Sequence, residues 1–217
     1  MSREKLYTVK EEIMNSSTHA LGVFLGVGAS FYLLSRPLVE HSRWATLAVV
    51  VYLFGMLLSY VSSTLYHGVT NPKTKKVLQK IDHAAIYIHI AGTYTPFTLV
   101  TLMNKGYWGW ALFSFIWLAA IIGTFASFRK MNKHSHFETI CYVLMGCAVL
   151  VAFKPLIETL GANGKIEALY WLIGGGVSYI VGALFYSFTK IRYMHSIFHL
   201  FVLGGSICHI IAIYIAL

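Results

Sequence analysis

The sequence predicts an all-α integral membrane protein with seven transmembrane helices. Of its 217 residues, 57% are hydrophobic and only 12% are charged, whereas soluble domains carry about 25% charged residues. Apolar runs recur along the chain, each close to the roughly 20 residues that are needed to cross a bilayer. No linker or shift in composition divides the sequence, so we expect a single transmembrane domain over residues 1–217.

The seven predicted spans are separated by short connections rich in turn-forming residues. They cover residues 18–35, 44–66, 81–103, 107–128, 137–157, 166–188 and 195–217.

Basic residues are distributed unequally between the two sides of this arrangement. Twelve of the 17 Lys and Arg residues fall on the side of the N-terminus and five on the other. Because cytoplasmic connections carry an excess of Lys and Arg, the N-terminus is expected in the cytoplasm and the C-terminus outside the cell. Membrane topology and lipid head groups account for the net charge of +9, so no nucleic-acid partner is expected.

This topology brings the most polar residues of several spans to one depth, near the cytoplasmic boundary. His195 and His199 begin the seventh span at positions i and i+4, which lie on one face of a helix. Ser63 and His67 end the second span with the same spacing, and Asp82 begins the third. Ionisable residues in spans are rare and usually mark functional sites in the bundle interior.

Three imidazoles at one depth predict a metal site. His67, His195 and His199 suit Zn²⁺, which binds neutral ring nitrogens. Three protein ligands, with the fourth position left to water, are typical of catalytic zinc, and Asp82 and Ser63 are placed to hydrogen-bond that water or to orient a ligand. The alternative is that the histidines satisfy one another and nearby backbone carbonyls.

The sequence says less about the roles of the remaining polar residues. Glu12, Asn15 and His19 share one face of the first helical segment and approach the same depth, but their roles are not defined. His83, His89 and His209 are interpreted as packing or supporting residues. Three further histidines are interpreted as loop or interface residues: His41, His134 and His136.

At these residues the sequence strongly resembles the hemolysin III family, the bacterial branch of the progestin and adipoQ receptor (PAQR) superfamily. The resemblance rests on Glu12-x2-Asn15-x3-His19, on Ser63-x3-His67 followed by Asp82, and on the runs 82–87, 91–96 and 195–201. It implies a seven-helix fold in a bacterial plasma membrane, with zinc held by His67, His195 and His199 and with Asp82 beside a water molecule. It also implies kinship with alkaline ceramidases, which hydrolyse lipid amides with a similar set of Ser, Asp and three His, and this suggests catalytic roles for Asp82 and Ser63.

Three functions remain open at this point. The first is a zinc-dependent hydrolase of lipid amide or ester bonds that serves membrane lipid homeostasis. The second is a non-catalytic receptor or homeostasis protein in which zinc is structural. The third, a membrane-damaging hemolysin, ranks last because the chain is too apolar for a released toxin. Membrane lipids, a lipid substrate or ligand and a possible homo-oligomer are the expected partners.

Overall fold

The computed structural model describes residues 7–40, 42–129, 137–188 and 191–217. In these ranges the chain forms helices and short connections, without a β-strand. The helices are α1 (Val9–Val39), α2 (Arg43–Gly68), α3 (Pro72–Pro96), α4 (Trp108–Phe128), α5 (Phe137–Cys147), α6 (Phe153–Ala162), α7 (Glu167–Ser187) and α8 (Met194–Ala216). A π-helical turn, Phe97–Thr101, follows α3, and a 3₁₀ turn, Ala148–Ala152, joins α5 to α6.

Six helical segments in the described ranges are long and apolar enough to cross a membrane. They are α1, α2, α4, the run from α5 to α6, α7 and α8. The all-α membrane class predicted from the sequence is thereby confirmed. α3 is not among the six, because its first part, residues 72–82, carries four lysines and an aspartate.

Two helices begin earlier than the sequence analysis placed them. α1 begins at Val9 because Thr8 and Glu11 form a capping box, in which the Thr8 N–H donates to Glu11 Oε2 at 2.9 Å and the Glu11 N–H donates to Thr8 Oγ1 at 3.3 Å. α3 begins at Pro72 because Asn71 Oδ1 accepts the N–H groups of the next turn, and proline suits the first helical position. The lysines from 73 to 80, predicted in a connection, therefore lie in a helix.

Neighbouring helices pack in the order α4–α3–α2–α1–α8–α7, with α5 against α3 and α7. α2 and α3 approach each other most closely at two glycines. A Cβ atom on Gly55 would lie 2.8 Å from the Ile88 carbonyl oxygen, and one on Gly92 would lie 3.0 Å from the Val51 carbonyl oxygen. Small residues allow such approaches between helices in membranes, and here they hold the polar ends of α2 and α3 side by side.

Large apolar side chains on the outer faces of the helices are exposed, as contact with lipid tails requires. On α4 they include Phe115, Leu118, Ile122 and Phe125. The interior combines apolar side chains with an unusual number of buried tyrosines and histidines. This polar interior is where the candidate site lies.

Candidate metal centre

The start of α8 is fixed against α1. Tyr193, just before the helix, adopts the left-handed conformation with φ of 62°, and its N–H donates to Glu11 Oε1 at 3.2 Å. The capping glutamate of α1 therefore also anchors the turn before α8. His195 and His199 follow on the first two turns of α8, beside α1 and the end of α2.

The three histidines predicted from the sequence converge. His195 Nε2 lies 3.1 Å from His67 Nε2 and 3.1 Å from His199 Nε2, and one ring nitrogen of each lies within 4.8 Å of the others. Zinc–nitrogen bonds of about 2.0–2.1 Å in a tetrahedral site place the nitrogens about 3.3 Å apart. The spacing of the histidines therefore matches that of ligands to one ion.

The other nitrogens of His67 and His199 define which ring atom carries the proton. His67 Nδ1 lies 2.6 Å from Glu12 Oε2, a carboxylate oxygen that can only accept. His199 Nδ1 lies 3.2 Å from the Asn15 carbonyl oxygen and 3.1 Å from Thr18 Oγ1. Both rings then donate from Nδ1 and present the lone pair of Nε2.

This proton arrangement distinguishes a metal from mutual hydrogen bonding. His195 Nε2 is equally close to two nitrogens that both present lone pairs, and one N–H group would satisfy one of them. A cation accepts all three lone pairs. The donor set therefore fits a metal better than it fits three histidines bonded only to one another.

Glu12 completes the centre without being a ligand. Its second oxygen, Oε1, lies 3.0 Å from Lys75 Nζ, and this ammonium group also donates to the carbonyl oxygens of Tyr66 and Val69. Carboxylates that accept from a ligating histidine fix its tautomer and raise its basicity. Sequence analysis left the role of Glu12 open, and the fold supplies it.

The other residues of the α1 motif support His199. The Asn15 carbonyl accepts from its ring, and Asn15 Oδ1 accepts from Ser196 Oγ at 2.5 Å. The ring of His19 stacks on that of His199, with centroids 3.5 Å apart and planes at 21°. Asn15 and His19 thus contact His199 from α1, and Glu12 contacts His67 from the same helix.

Tyr7, immediately before α1, packs against the centre. Its ring stacks on that of His195, with centroids 5.2 Å apart. Burial raises the pKa of the Tyr7 phenol above its usual range, so the hydroxyl stays protonated at neutral pH.

Asp82 and Ser63 lie beside the histidines but outside the ligand set. The Ser63 hydroxyl neighbours the Asp82 carboxylate, and both side chains are buried. In the part of the chain that the structure describes, the group of three or more residues whose potential ligand atoms all lie within 4.8 Å of one another consists of the three histidines. Asp82 and Ser63 share a cavity wall with His195 and His199, so they face the same space as the centre.

His83 belongs to a separate pair. Its Nδ1 lies 2.6 Å from Glu138 Oε2, and Glu138 Oε1 accepts from Ser127 Oγ at 2.9 Å. This pair joins α3, α4 and α5 rather than supporting the metal centre. His41, His134 and His136 lie outside the described residues.

A cavity of about 2110 Å³ extends from the histidines into the bundle. This cavity is larger than most binding sites for small molecules, which usually have volumes of about 300–1,000 Å³. Basic residues line the end near the centre, including Lys76, Lys80 and Arg129, and apolar residues such as Leu112, Phe153 and Val202 line much of the remainder. Its size and lining suit a long apolar molecule with a polar head.

Comparison with known proteins gives consistent matches over nearly the whole chain. A family model described as "Haemolysin-III related" matches residues 7–210. "Hemolysin-3" of Bacillus cereus is 42% identical over 198 residues, which cover 91% of this chain and 88% of the relative. "Hemolysin-3 homolog" of Bacillus subtilis (strain 168) is 41% identical over 201 residues, covering 93% and 92%. The human "Monocyte to macrophage differentiation factor" is 29% identical over 213 residues, covering 95% and 84%.

Proposed function

Because the chain belongs to the hemolysin III family of multi-pass cell-membrane proteins, within the PAQR superfamily, we propose that it is a zinc-dependent hydrolase of lipid amide or ester bonds. The observation that carries the proposal is the convergence of three histidines, two of them buried and one half-buried, at the end of a large and mainly apolar cavity, with Glu12 paired to His67.

The proposed topology has seven spans, with a cytoplasmic N-terminus and an extracytoplasmic C-terminus. α3 is the span that raises the count from six to seven. Its residues from Ala84 to Thr95 are mostly buried among the other helices, so little of α3 faces lipid and it can be less apolar than its neighbours. The unequal distribution of Lys and Arg supports the orientation.

His67, His195 and His199 would hold the ion. Zinc would supply a Lewis acid that polarises a carbonyl group and lowers the pKa of a bound water toward 7. Asp82 is the only aspartate of the chain, and its carboxylate accepts the proton that water loses as it attacks the carbonyl carbon. The protonated Asp82 returns this proton to the amine or alcohol that leaves as the C–N or C–O bond breaks. The Ser63 hydroxyl donates a hydrogen bond to the developing oxyanion. The cavity holds the lipid chain, and the lysines near the histidines attract an anionic head group.

A structural role for zinc is the second candidate, and one observation favours it. The histidines and Glu12 connect α1, α2 and α8, so an ion there would stabilise the bundle without any turnover. The membrane-damaging activity that the name "Hemolysin-3" describes is that of the Bacillus cereus relative.

The test uses purified protein in liposomes that contain ceramide-like and ester lipids. We expect release of fatty acid that a chelator abolishes and added zinc restores. The His195→Ala, His199→Ala double variant should lose both zinc, measured by elemental analysis, and fatty-acid release. Full zinc content in that variant would disprove the metal assignment. Bound zinc in the wild-type protein without chelator-sensitive release from any lipid would favour the structural role.

A further inference from the structure

A second set of polar side chains lies about two helical turns deeper in the bundle than the metal centre. On three helices, a polar residue at the level of the centre is followed or preceded by another at a spacing of seven, on the same face and about 10 Å further along the axis. The pairs are His67 with Tyr60, Asp82 with His89, and His199 with Ser206. We call Tyr60, His89 and Ser206, together with Tyr179 and His209, the second tier.

Contacts join the second tier into one cluster. The Tyr60 hydroxyl donates to Ser206 Oγ at 2.8 Å, and the Tyr179 hydroxyl lies 2.9 Å from the same atom. The Tyr60 ring lies 6.0 Å from that of His89, between centroids. The Tyr179 ring lies 5.3 Å from that of His209. Four helices, α2, α3, α7 and α8, therefore contribute to the tier.

Two histidine nitrogens of the tier lack partners. Within the described residues, Nε2 of His89 and Nδ1 of His209 have no hydrogen-bond partner. These residues are only 7% exposed, and buried polar groups in native proteins are nearly always paired. Both histidines line the cavity. Hydrogen-bonding capacity is therefore concentrated on the wall of a space that can hold a ligand.

The distribution of charge defines which ligand group fits there. Charged residues that line the cavity in the described part of the chain lie at the metal-centre end: Glu12, Lys75, Lys76, Lys80, Asp82, Arg129 and Glu138. A carboxylate or phosphate at the second tier would be desolvated without a counter-ion, at a large cost in free energy. An uncharged hydroxyl or carbonyl group needs only the hydrogen bonds that histidine and tyrosine provide.

We propose that the second tier is a binding subsite for an uncharged hydroxyl or carbonyl group in the middle of a lipid chain. The head group of this lipid lies at the metal-centre end of the cavity. The separation of about 10 Å between the two levels places the group well away from the head. The inference rests on the proposed binding of a lipid in the cavity, but it does not require that the lipid is hydrolysed.

The test is equilibrium binding of radiolabelled fatty acids to the purified protein in nanodiscs. The probes are stearic acid, stearic acid hydroxylated in mid-chain, and stearic acid hydroxylated next to its carboxyl group. The mid-chain hydroxyl should strengthen binding about five- to tenfold over stearic acid, the value of one net hydrogen bond. The hydroxyl next to the carboxyl group should bring no such gain.

Variants locate the effect. His89→Leu and His209→Leu should abolish the preference, measured in each variant as the ratio of its affinities for the mid-chain hydroxylated acid and for stearic acid. His89→Gln should retain part of this preference because the amide still forms a hydrogen bond. Tyr52→Phe is the matched control. It removes a buried, unpaired hydroxyl near His89 that does not line the cavity, so the preference should remain.

Equal affinity of the wild-type protein for all three fatty acids would overturn the inference, as would the absence of any binding. An equal loss of preference in Tyr52→Phe would also overturn it, since the effect would then be structural. Thermal unfolding of each variant confirms that it is folded. Binding is measured without turnover, so a preference for the mid-chain hydroxyl stands even if no lipid is hydrolysed.

Discussion

Glu12 on α1 and His67 on α2 are joined by a contact of 2.6 Å between Oε2 and Nδ1. They are 55 residues apart in the sequence, so no local motif connects them. The carboxylate holds the proton on Nδ1 and directs the lone pair of Nε2 at His195. Glu12 therefore determines which ring nitrogen His67 presents to the other two histidines, although Glu12 is outside the group of three that could hold a metal.

Replacing Glu12 with glutamine tests this relationship. The amide keeps the shape of the side chain but loses the charge, so His67 Nε2 becomes a weaker ligand for a metal. We expect zinc affinity to fall about 10- to 100-fold, the range for loss of such supporting carboxylates. The affinity is measured by competition with a chelator of known affinity. Glu158→Gln, on an exposed position of α6, is the matched control. Equal affinities in both variants would contradict the role assigned to Glu12.

Metal removal should lower thermal stability. A ligand that binds only the folded state stabilises it by about 2.7 kcal/mol at 100 times its dissociation constant. This site joins α2 to α8 through the histidines and α1 to α2 through Glu12. We expect the Tm in detergent to fall on chelation and to recover with added zinc. The His195→Ala, His199→Ala variant should show no response to either treatment. A wild-type Tm that is insensitive to chelation would argue against zinc binding at this site.

Sequence reasoning reached the three histidines because the helical period and the common membrane depth are both local properties. His195 and His199 are on one face of α8, and His67 lies in the polar last turn of α2. The same reasoning could not pair Glu12 with His67, since that contact depends on how α1 packs against α2. The supporting roles of Asn15 and His19 depend on tertiary packing in the same way.

The helix starts were missed for a different reason. The prediction followed hydropathy, whereas α1 and α3 begin in polar sequence. Thr8-x2-Glu11 and Asn71-Pro72 are recognisable start signals, so the sequence does contain this information. Whether α3 crosses the membrane is harder to predict, because a helix that is buried among other helices does not need an apolar surface.

The close approach of α2 and α3 gives a prediction about stability. Gly55→Ala places a methyl group against the backbone of Ile88, which cannot move aside as a side chain could. We expect destabilisation of about 1–3 kcal/mol, as for overpacked cores, seen as a lower Tm in detergent. Gly28→Ala, where a Cβ meets nothing within 4 Å, should be neutral or slightly stabilising. A similar Tm for both variants would mean that α2 and α3 are less closely packed.

Reporter fusions after Leu217 test the topology. With seven spans and a cytoplasmic N-terminus, alkaline phosphatase at the C-terminus should be active and green fluorescent protein there should be dark. Six spans with the same orientation would give the opposite pair of results, because the C-terminus would then be cytoplasmic. The two reporters therefore decide whether α3 crosses the membrane.

The last prediction concerns the two residues beside the histidines. Asp82→Asn should leave zinc bound, because Asp82 is outside the ligand set, but should reduce lipid hydrolysis about 100-fold or more, as expected for loss of a positioned general base. Ser63→Ala should cost less, since the metal remains the main electrophile. Ser187→Ala, at an exposed position near the end of α7, is the control for serine removal. If Asp82→Asn instead loses zinc or unfolds while wild-type protein shows no turnover, Asp82 supports the fold and the metal is structural.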